Sequence, residues 1–243
     1  MPHLSPRITG LNEGGSDGWD IFYRARTKKA AGESIIDLTI GEHDIGTPSS
    51  ILNAMSRAAS SGHTGYAAVP GTPALRDAIA RRVSDRTEHL TDARNVLVTP
   101  GGQAALFAAH MAVCAPGDAA LFIDPCYATY PGTIRAASAR AIPVPTRADT
   151  AFLPDPDTIA SLAQTHGAKS LLINTPNNPT GVIYDRATLE GIAQVCIDHD
   201  LWLISDEVYD TQIWQGVHLS PRALPNMAER TLVIGSMSKS HAM

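Results

Sequence analysis

The feature that most constrains this chain is a series of short apolar runs, each continuous rather than alternating with polar residues. A strand with one wet face alternates apolar and polar side chains, whereas a strand covered on both faces does not. Residues 96–98, 119–123, 141–144, 169–174, 201–205 and 231–235 are runs of the second kind. The third is weakened by its prolines, which remove ladder donors. Helical patterns lie between the runs. Thr72 and Pro73 offer an N-cap hydroxyl and a proline at the first helical position, and Leu75, Ile79 and Val83 then recur four apart on one face. Gly101 and Gly102 open a helix that reaches about residue 114, and Asp155 begins a weaker one reaching about residue 166. Asp185 caps another that turns Leu189, Ile192, Ala193 and Cys196 toward the core. Strands alternating with helices predict an α/β layered domain with a mainly parallel sheet, and in such domains ligands bind at the carboxyl ends of the strands.

Composition narrows the function. With 44% hydrophobic and 18% charged residues in 243, the chain can bury an ordinary globular core. A net charge of −5 gives no general attraction to nucleic acid or to an anionic membrane. No apolar run approaches the roughly 20 residues of a membrane span; the longest, 104–115, is broken by His110. The opening MPHLSPRITG has no signal-peptide core. Cys114, Cys126 and Cys196 form no CxxC pair, which argues against a disulfide framework or a zinc ribbon and makes a reducing cytoplasm the expected compartment.

The strand ends carry the chemistry. Thr99-Pro100-Gly101-Gly102-Gln103 follows the first run; its glycines and the free N–H groups of a helix start suit a phosphate, and equally a tight turn with no ligand. Asn174-Thr175-Pro176-Asn177-Asn178-Pro179-Thr180-Gly181 holds three amides in a proline-restricted loop, able to bond a polar ring substituent or only their own backbone. Ser205-Asp206-Glu207-Val208-Tyr209 places carboxylates after an apolar run, as Mg²⁺-nucleotide sites do, but the chain has no Gly-Lys dipeptide and hence no P-loop. A structural salt bridge is the plainer reading of that pair. In Gly235-Ser236-Met237-Ser238-Lys239-Ser240, a lysine among small hydroxyl residues can be partly desolvated, which frees its lone pair to attack a carbonyl; a surface lysine is the alternative.

Taken together and in order, the strings GYAAVPGTPALRDAIA, TPGGQAALFAA, DPCYATYPG, NTPNNPTG, SDEVYD and SMSKSHAM resemble the class I and II pyridoxal-phosphate-dependent aminotransferases of fold type I. They span residues 65–243, and IGEHDIGTP at 40–48 matches more loosely. The resemblance implies a three-layer α-β-α large domain at 49–243, preceded by an N-terminal segment and part of a small domain at 1–48. It implies transamination between an α-amino acid and a 2-oxo acid, with pyridoxal 5'-phosphate held on Lys239 as a Schiff base. Lys239 would then act as the base at the substrate Cα, and Asp206 would keep the cofactor ring nitrogen protonated. Gly101, Gly102 and Gln103 would hold the phosphate with Ser236 and Ser238. Tyr127 would stack on the ring, and Asn178 and Tyr209 would bond the ring oxygen. Tyr66 would reach the phosphate of a neighbouring subunit, which implies a homodimer, and main chain at Gly41 would approach the substrate carboxylate. No metal enters this scheme.

The chain departs from the family pattern in places. His241 stands where an aromatic is usual, and Gly-Glu-Pro-Asp reads Gly41-Glu42-His43-Asp44, with His43 expected to be an exposed loop residue. The chain stops four residues after Lys239, before the family's downstream and carboxylate-clamping arginines and with the small domain largely missing. The expectation is therefore the N-terminal part of a longer protein, inactive by itself as residues 1–243, with apolar surface left uncovered. The competing functions are another reaction of the same cofactor, such as β-elimination by a carbon–sulfur lyase, and a non-catalytic cofactor-binding protein.

Overall fold

A computed structural model of the chain describes residues 2–13, 15 and 18–243. Helices α1 (Pro6–Thr9), α2 (Asp20–Ala30), α3 (Ser49–Ser60) and α4 (Pro73–Thr87) come before the sheet. There follow α5 (Gly102–Val113), β1 (Ala119–Asp124), α6 (Tyr130–Ala136), β2 (Arg140–Pro145), α7 (Pro156–His166), β3 (Ala168–Asn174), α8 (Arg186–Asp198), β4 (Trp202–Asp206), β5 (Thr231–Ile234) and α9 (Met237–Ser240). The strands form one parallel sheet in the order β2-β1-β3-β4-β5.

Successive side chains on a strand point to opposite faces, and here both faces are dry. On one, Leu121, Ile123, Leu171, Ile173 and Leu203 meet Ile159 and Ala163 of α7 and Leu189, Ile192 and Cys196 of α8. On the other, Ala120, Phe122, Leu172 and Ile204 meet Leu106 and Ala109 of α5 and Tyr130 and Ile134 of α6. The result is the three-layer α-β-α arrangement, and it explains why the apolar runs do not alternate. Each fully buried Leu or Ile contributes about 1.5–3 kcal/mol. Local signals set the helix boundaries. Asp155 and Asp185 accept from the backbone N–H groups of Thr158 and Thr188 as N-caps of α7 and α8, and α7 stops at Gly167 with φ 59°. The prolines of β2 lie on an edge strand, where a missing donor is tolerated.

Two expectations need correction. Residues 96–98 do not form a strand. The segment is extended, but the Val98 N–H donates to the Pro70 carbonyl at 3.0 Å, and no strand pairs with it among the described residues. An apolar run supplies the side chains for a strand, whereas the ladder needs a neighbour. Thr72 precedes α4 without a side-chain cap bond, so Pro73 alone marks that start. The Leu75, Ile79 and Val83 face is half-buried, and Ala80 and Thr87 are the fully covered residues of α4. Among the described residues no helix is long and apolar enough to cross a membrane.

Candidate active site at the carboxyl edge of the sheet

Because β3, β4 and β5 are parallel and adjacent, their carboxyl ends open on one edge. Asp206 ends β4 and is buried. Its Oδ2 accepts from the Tyr130 hydroxyl at 2.7 Å, and its Oδ1 from the Val208 N–H at 3.2 Å. Burial pushes its carboxyl up to about 6, against the pull of those two donors. The loop after β3 packs against this strand end. Asn174 Nδ2 donates to the Asp206 carbonyl at 2.9 Å, and Asn174 Oδ1 accepts from the Asn178 N–H at 2.8 Å. Asn178 Nδ2 in turn donates to the Tyr209 hydroxyl at 3.3 Å. Asn178 and Tyr209 also line an open cavity of about 570 Å³, with Trp214 and Val217.

Tyr127 is half-buried, and its ring meets that of Tyr130 edge-on, with centroids 5.8 Å apart. It therefore lies beside the side chain that holds Asp206. Tyr130 and Gln212 were not singled out from sequence, and Asn174 was read only as one of three loop amides. Tyr130 shares the string DPCYATYPG with Tyr127, but nothing in that string tells which tyrosine faces a carboxylate 76 positions away.

Lys239 lies on α9. Its Nζ donates to the Gly41 carbonyl at 2.9 Å and sits 5.9 Å from the centroid of the Tyr209 ring. Segment 41–47 runs alongside α9. His43 Nε2 is 2.6 Å from the Lys239 carbonyl, Gln212 Nε2 donates to the same oxygen at 3.3 Å, and the Thr47 hydroxyl donates to the Ala242 carbonyl. His43 is thus a half-buried strut rather than the exposed loop histidine expected.

Helix α5 starts at Gly102 after Gly101, whose φ of 82° suits glycine. No side chain caps this start and its first turn carries no acid, so its N–H groups and positive dipole end are free for an anion. Gly102 faces Val208 and Ser236: a Cβ built on it would lie 3.5 Å from Val208 Cγ1 and 3.8 Å from Ser236 Cβ. Ser236 caps α9 by accepting from the Ser238 N–H at 3.1 Å, and its hydroxyl donates to Ser238 Oγ at 2.9 Å. The Gln103 side chain turns away, bonding Thr129 at 2.8 Å and also Thr133. Only its backbone is left for a ligand. Tyr66 lies on the surface, 110% exposed, and is not brought to this edge.

The edge therefore gathers an uncapped helix start with hydroxyls beside it, a buried carboxylate, an amide–phenol pair and a primary amine. This donor set fits pyridoxal phosphate group by group: phosphate, ring nitrogen, ring oxygen and aldehyde. It defines a cofactor-binding α/β/α domain. The chain belongs to the aminotransferase class I and II family, whose model matches residues 33–243. Over 240 residues it is 42% identical to arginine–pyruvate transaminase of Pseudomonas aeruginosa, covering 99% of this chain and 60% of that protein. It is 36% identical to a probable aspartate/prephenate aminotransferase of Thermus aquaticus, covering 100% of this chain and 62% of the relative. The structure of aspartate aminotransferase from Thermus thermophilus with maleate superposes with a TM-score of 0.94 at 32% identity, over 100% of this chain and 62% of that one. The chain thus spans about three-fifths of the length of these relatives.

Proposed function

We propose that the protein transfers an amino group between an α-amino acid and a 2-oxo acid with pyridoxal phosphate. The observation that carries this reading is the meeting of Lys239, the Asn178–Tyr209 pair, buried Asp206 and the uncapped start of α5 at one sheet edge. When bound, the cofactor supplies an electron sink for the pair left by a bond broken at the substrate Cα. Lys239 Nζ would anchor the aldehyde carbon and, once displaced by a substrate amine, take and return the Cα proton. Asp206 would hold a proton at the ring nitrogen, which in turn would draw the carboxyl down from about 6, since a neighbouring cation favours the ionised form. Asn178 Nδ2 and the Tyr209 hydroxyl would bond the ring oxygen, and Tyr127 would cover the ring face. The backbone N–H groups of Gly102 and Gln103 would hold the phosphate with Ser236 and Ser238. Main chain at Gly41, already bonded to Lys239, would lie against the substrate carboxylate.

Residues 1–48 would form the N-terminal segment and part of a small domain, and 49–243 the cofactor domain. A homodimer accounts for exposed Ile36, Leu38, Tyr66 and Val69, each at least 88% accessible, with Tyr66 serving the neighbouring subunit. A cytoplasmic location goes with three free cysteines. Incubating the full-length gene product with arginine, aspartate and other amino donors against pyruvate and 2-oxoglutarate tests the reaction. Transamination yields a new amino acid, whereas release of ammonia with pyruvate identifies an eliminating lyase instead. Lys239→Ala should abolish the visible absorbance of the loaded protein; an unchanged spectrum would mean another lysine is the anchor.

A further inference from the structure

Residues 205–210 contain more buried charge than the proposed chemistry uses. Asp206 and Tyr209 have roles in the proposed chemistry, while Glu207 and Asp210 have none there and bond to other parts of the chain. The Glu207 side chain is 5% exposed and that of His218 3%. Glu207 Oε1 accepts from the Ser220 hydroxyl at 2.7 Å, and Glu207 Oε2 lies 3.6 Å from His218 Nε2. His218 Nδ1 is 3.1 Å from a guanidinium nitrogen of Arg86. Arg86 also pairs with the Asp210 carboxylate and donates to the Asp210 carbonyl at 3.4 Å, and Arg82 adds a bond to the same carboxylate at 2.9 Å. Both arginines lie on α4.

The proton positions follow from donor chemistry. A guanidinium has only donors and keeps its charge, so His218 Nδ1 must accept and the ring proton must sit on Nε2. Nε2 is buried with no well-aligned hydrogen bond; Glu207 Oε2 lies 3.6 Å from it, and the Thr175 backbone is the other acceptor close to the ring. Charge agrees with this. A second positive charge beside Arg86 would be repelled, and burial together with that guanidinium lowers the His218 pKa to about 4. The turn's main chain is tied as well, with Glu207 N–H to the Ile234 carbonyl at 2.9 Å and Asp210 N–H to the Glu207 carbonyl at 3.0 Å. Arg86 thus holds Asp210 directly and Glu207 through His218.

We propose that His218 is a positioning residue: fixed by Arg86 as the neutral Nε2–H tautomer and facing Glu207, it completes a clamp from α4 that sets the turn carrying Asp206 and Tyr209. The proposal rests on the reading of those two residues as cofactor partners, but two of its signals do not need the cofactor. In the full-length protein, long-range ¹H–¹⁵N correlation of the imidazoles, assigned by loss of one ring in His218→Gln, should show a neutral Nε2-protonated ring between about pH 5 and 8. Hydrogen exchange at 206–212 should rise about tenfold in His218→Leu, the effect of losing a charge-assisted contact. It should return toward wild type in His218→Gln, whose amide can accept from Arg86 and donate to Glu207. In the loaded protein, His218→Leu should also shift the pH titration of the visible spectrum, and His218→Gln should restore it. A ring that charges within that pH range, or equal exchange in the Leu and Gln variants, overturns the clamp. If His218→Leu does not fold, the tautomer alone decides. A protein that takes up no pyridoxal phosphate refutes the functional reading while leaving the first two signals to judge the clamp.

Discussion

Replacing Tyr130 with Phe removes one oxygen from the buried partner of Asp206. The phenol donates to Oδ2 at 2.7 Å, and the direction is secure: burial and the nearby Asp206 charge push Tyr130 well above its usual pKa, so it keeps its proton. A bond to a charged carboxylate contributes about 1.5–3 kcal/mol, one to a neutral group about 1 kcal/mol. Tyr130→Phe should therefore cost about 1 kcal/mol more when Asp206 is ionised than when it is protonated. At about 1.4 kcal/mol per unit, that moves the carboxyl from about 6 toward about 7. The sign follows from linkage. The folded-state pKa lies above the unfolded 3.8, so this group's contribution to stability is present below that value and is lost as pH rises through about 6. In the variant the ionised form is costlier still, and the loss extends further. Urea unfolding of the full-length protein, stripped of cofactor, at about pH 5 and pH 8 checks the difference. The variant should be penalised about 1 kcal/mol more at the higher pH. Glu207 also titrates near 7, but it is common to both proteins and cancels. Equal penalties at the two pH values would refute the reasoning.

Other substitutions probe the packing and the anion site. Gly191→Ala puts a Cβ 2.7 Å from Pro156 Cγ where α8 crosses the start of α7, and should cost about 1–3 kcal/mol in a thermal melt. Gly102→Ala meets only ordinary contacts, 3.5 Å to Val208 and 3.8 Å to Ser236, so the melting temperature should hold. Cofactor affinity, titrated into the stripped protein, should fall about tenfold because the methyl fills the approach to the helix start. His110 is fully buried with neither ring nitrogen paired, and burial lowers its pKa to about 4. The unfolded chain then binds the proton first, and stability falls as pH drops through the unfolded value of 6.5. His110→Leu should remove that loss, stabilising the protein by about 2 kcal/mol more at pH 5 than at pH 7, measured by paired melts.

How much was legible depended on whether the information was local. The runs that became β1 to β5 announced themselves because a strand dry on both faces must be apolar at every position, and Leu171, Leu172 and Ile173 show three in succession. Asp185 was legible as a cap because the N–H it binds lies three residues on. Residues 96–98 passed the same apolar test and failed, since a strand also needs a neighbour the run does not name. The candidate site was legible through strings that keep its residues at fixed offsets. What supports those residues was not. Tyr130 reaches Asp206 across 76 positions, His43 reaches the Lys239 carbonyl across 196, and Arg86 reaches His218 across 132.

These invisible contacts share a physical cause. At the sheet edge the apolar pattern gives way to carboxylates that burial alone would neutralise: Asp206 is held up at about 6 and Glu207 at about 7. A buried acid remains useful as an anion only if its surroundings offer donors, and the turn itself gives Asp206 only the Val208 N–H, too few for a carboxylate. Donors must therefore come from elements that the fold, and not the sequence order, places nearby. Tyr130 from α6 serves Asp206, while His218 and Ser220 from the long β4–β5 connection face Glu207. The two acids differ in what can answer them. On the proposed function a cationic ring nitrogen would complete the set around Asp206, whereas Glu207 is closed in by groups of this chain. Adding the cofactor should accordingly lower the pKa of Asp206 and leave that of Glu207 near 7, a separation that carboxyl ¹³C titration with and without pyridoxal phosphate would resolve.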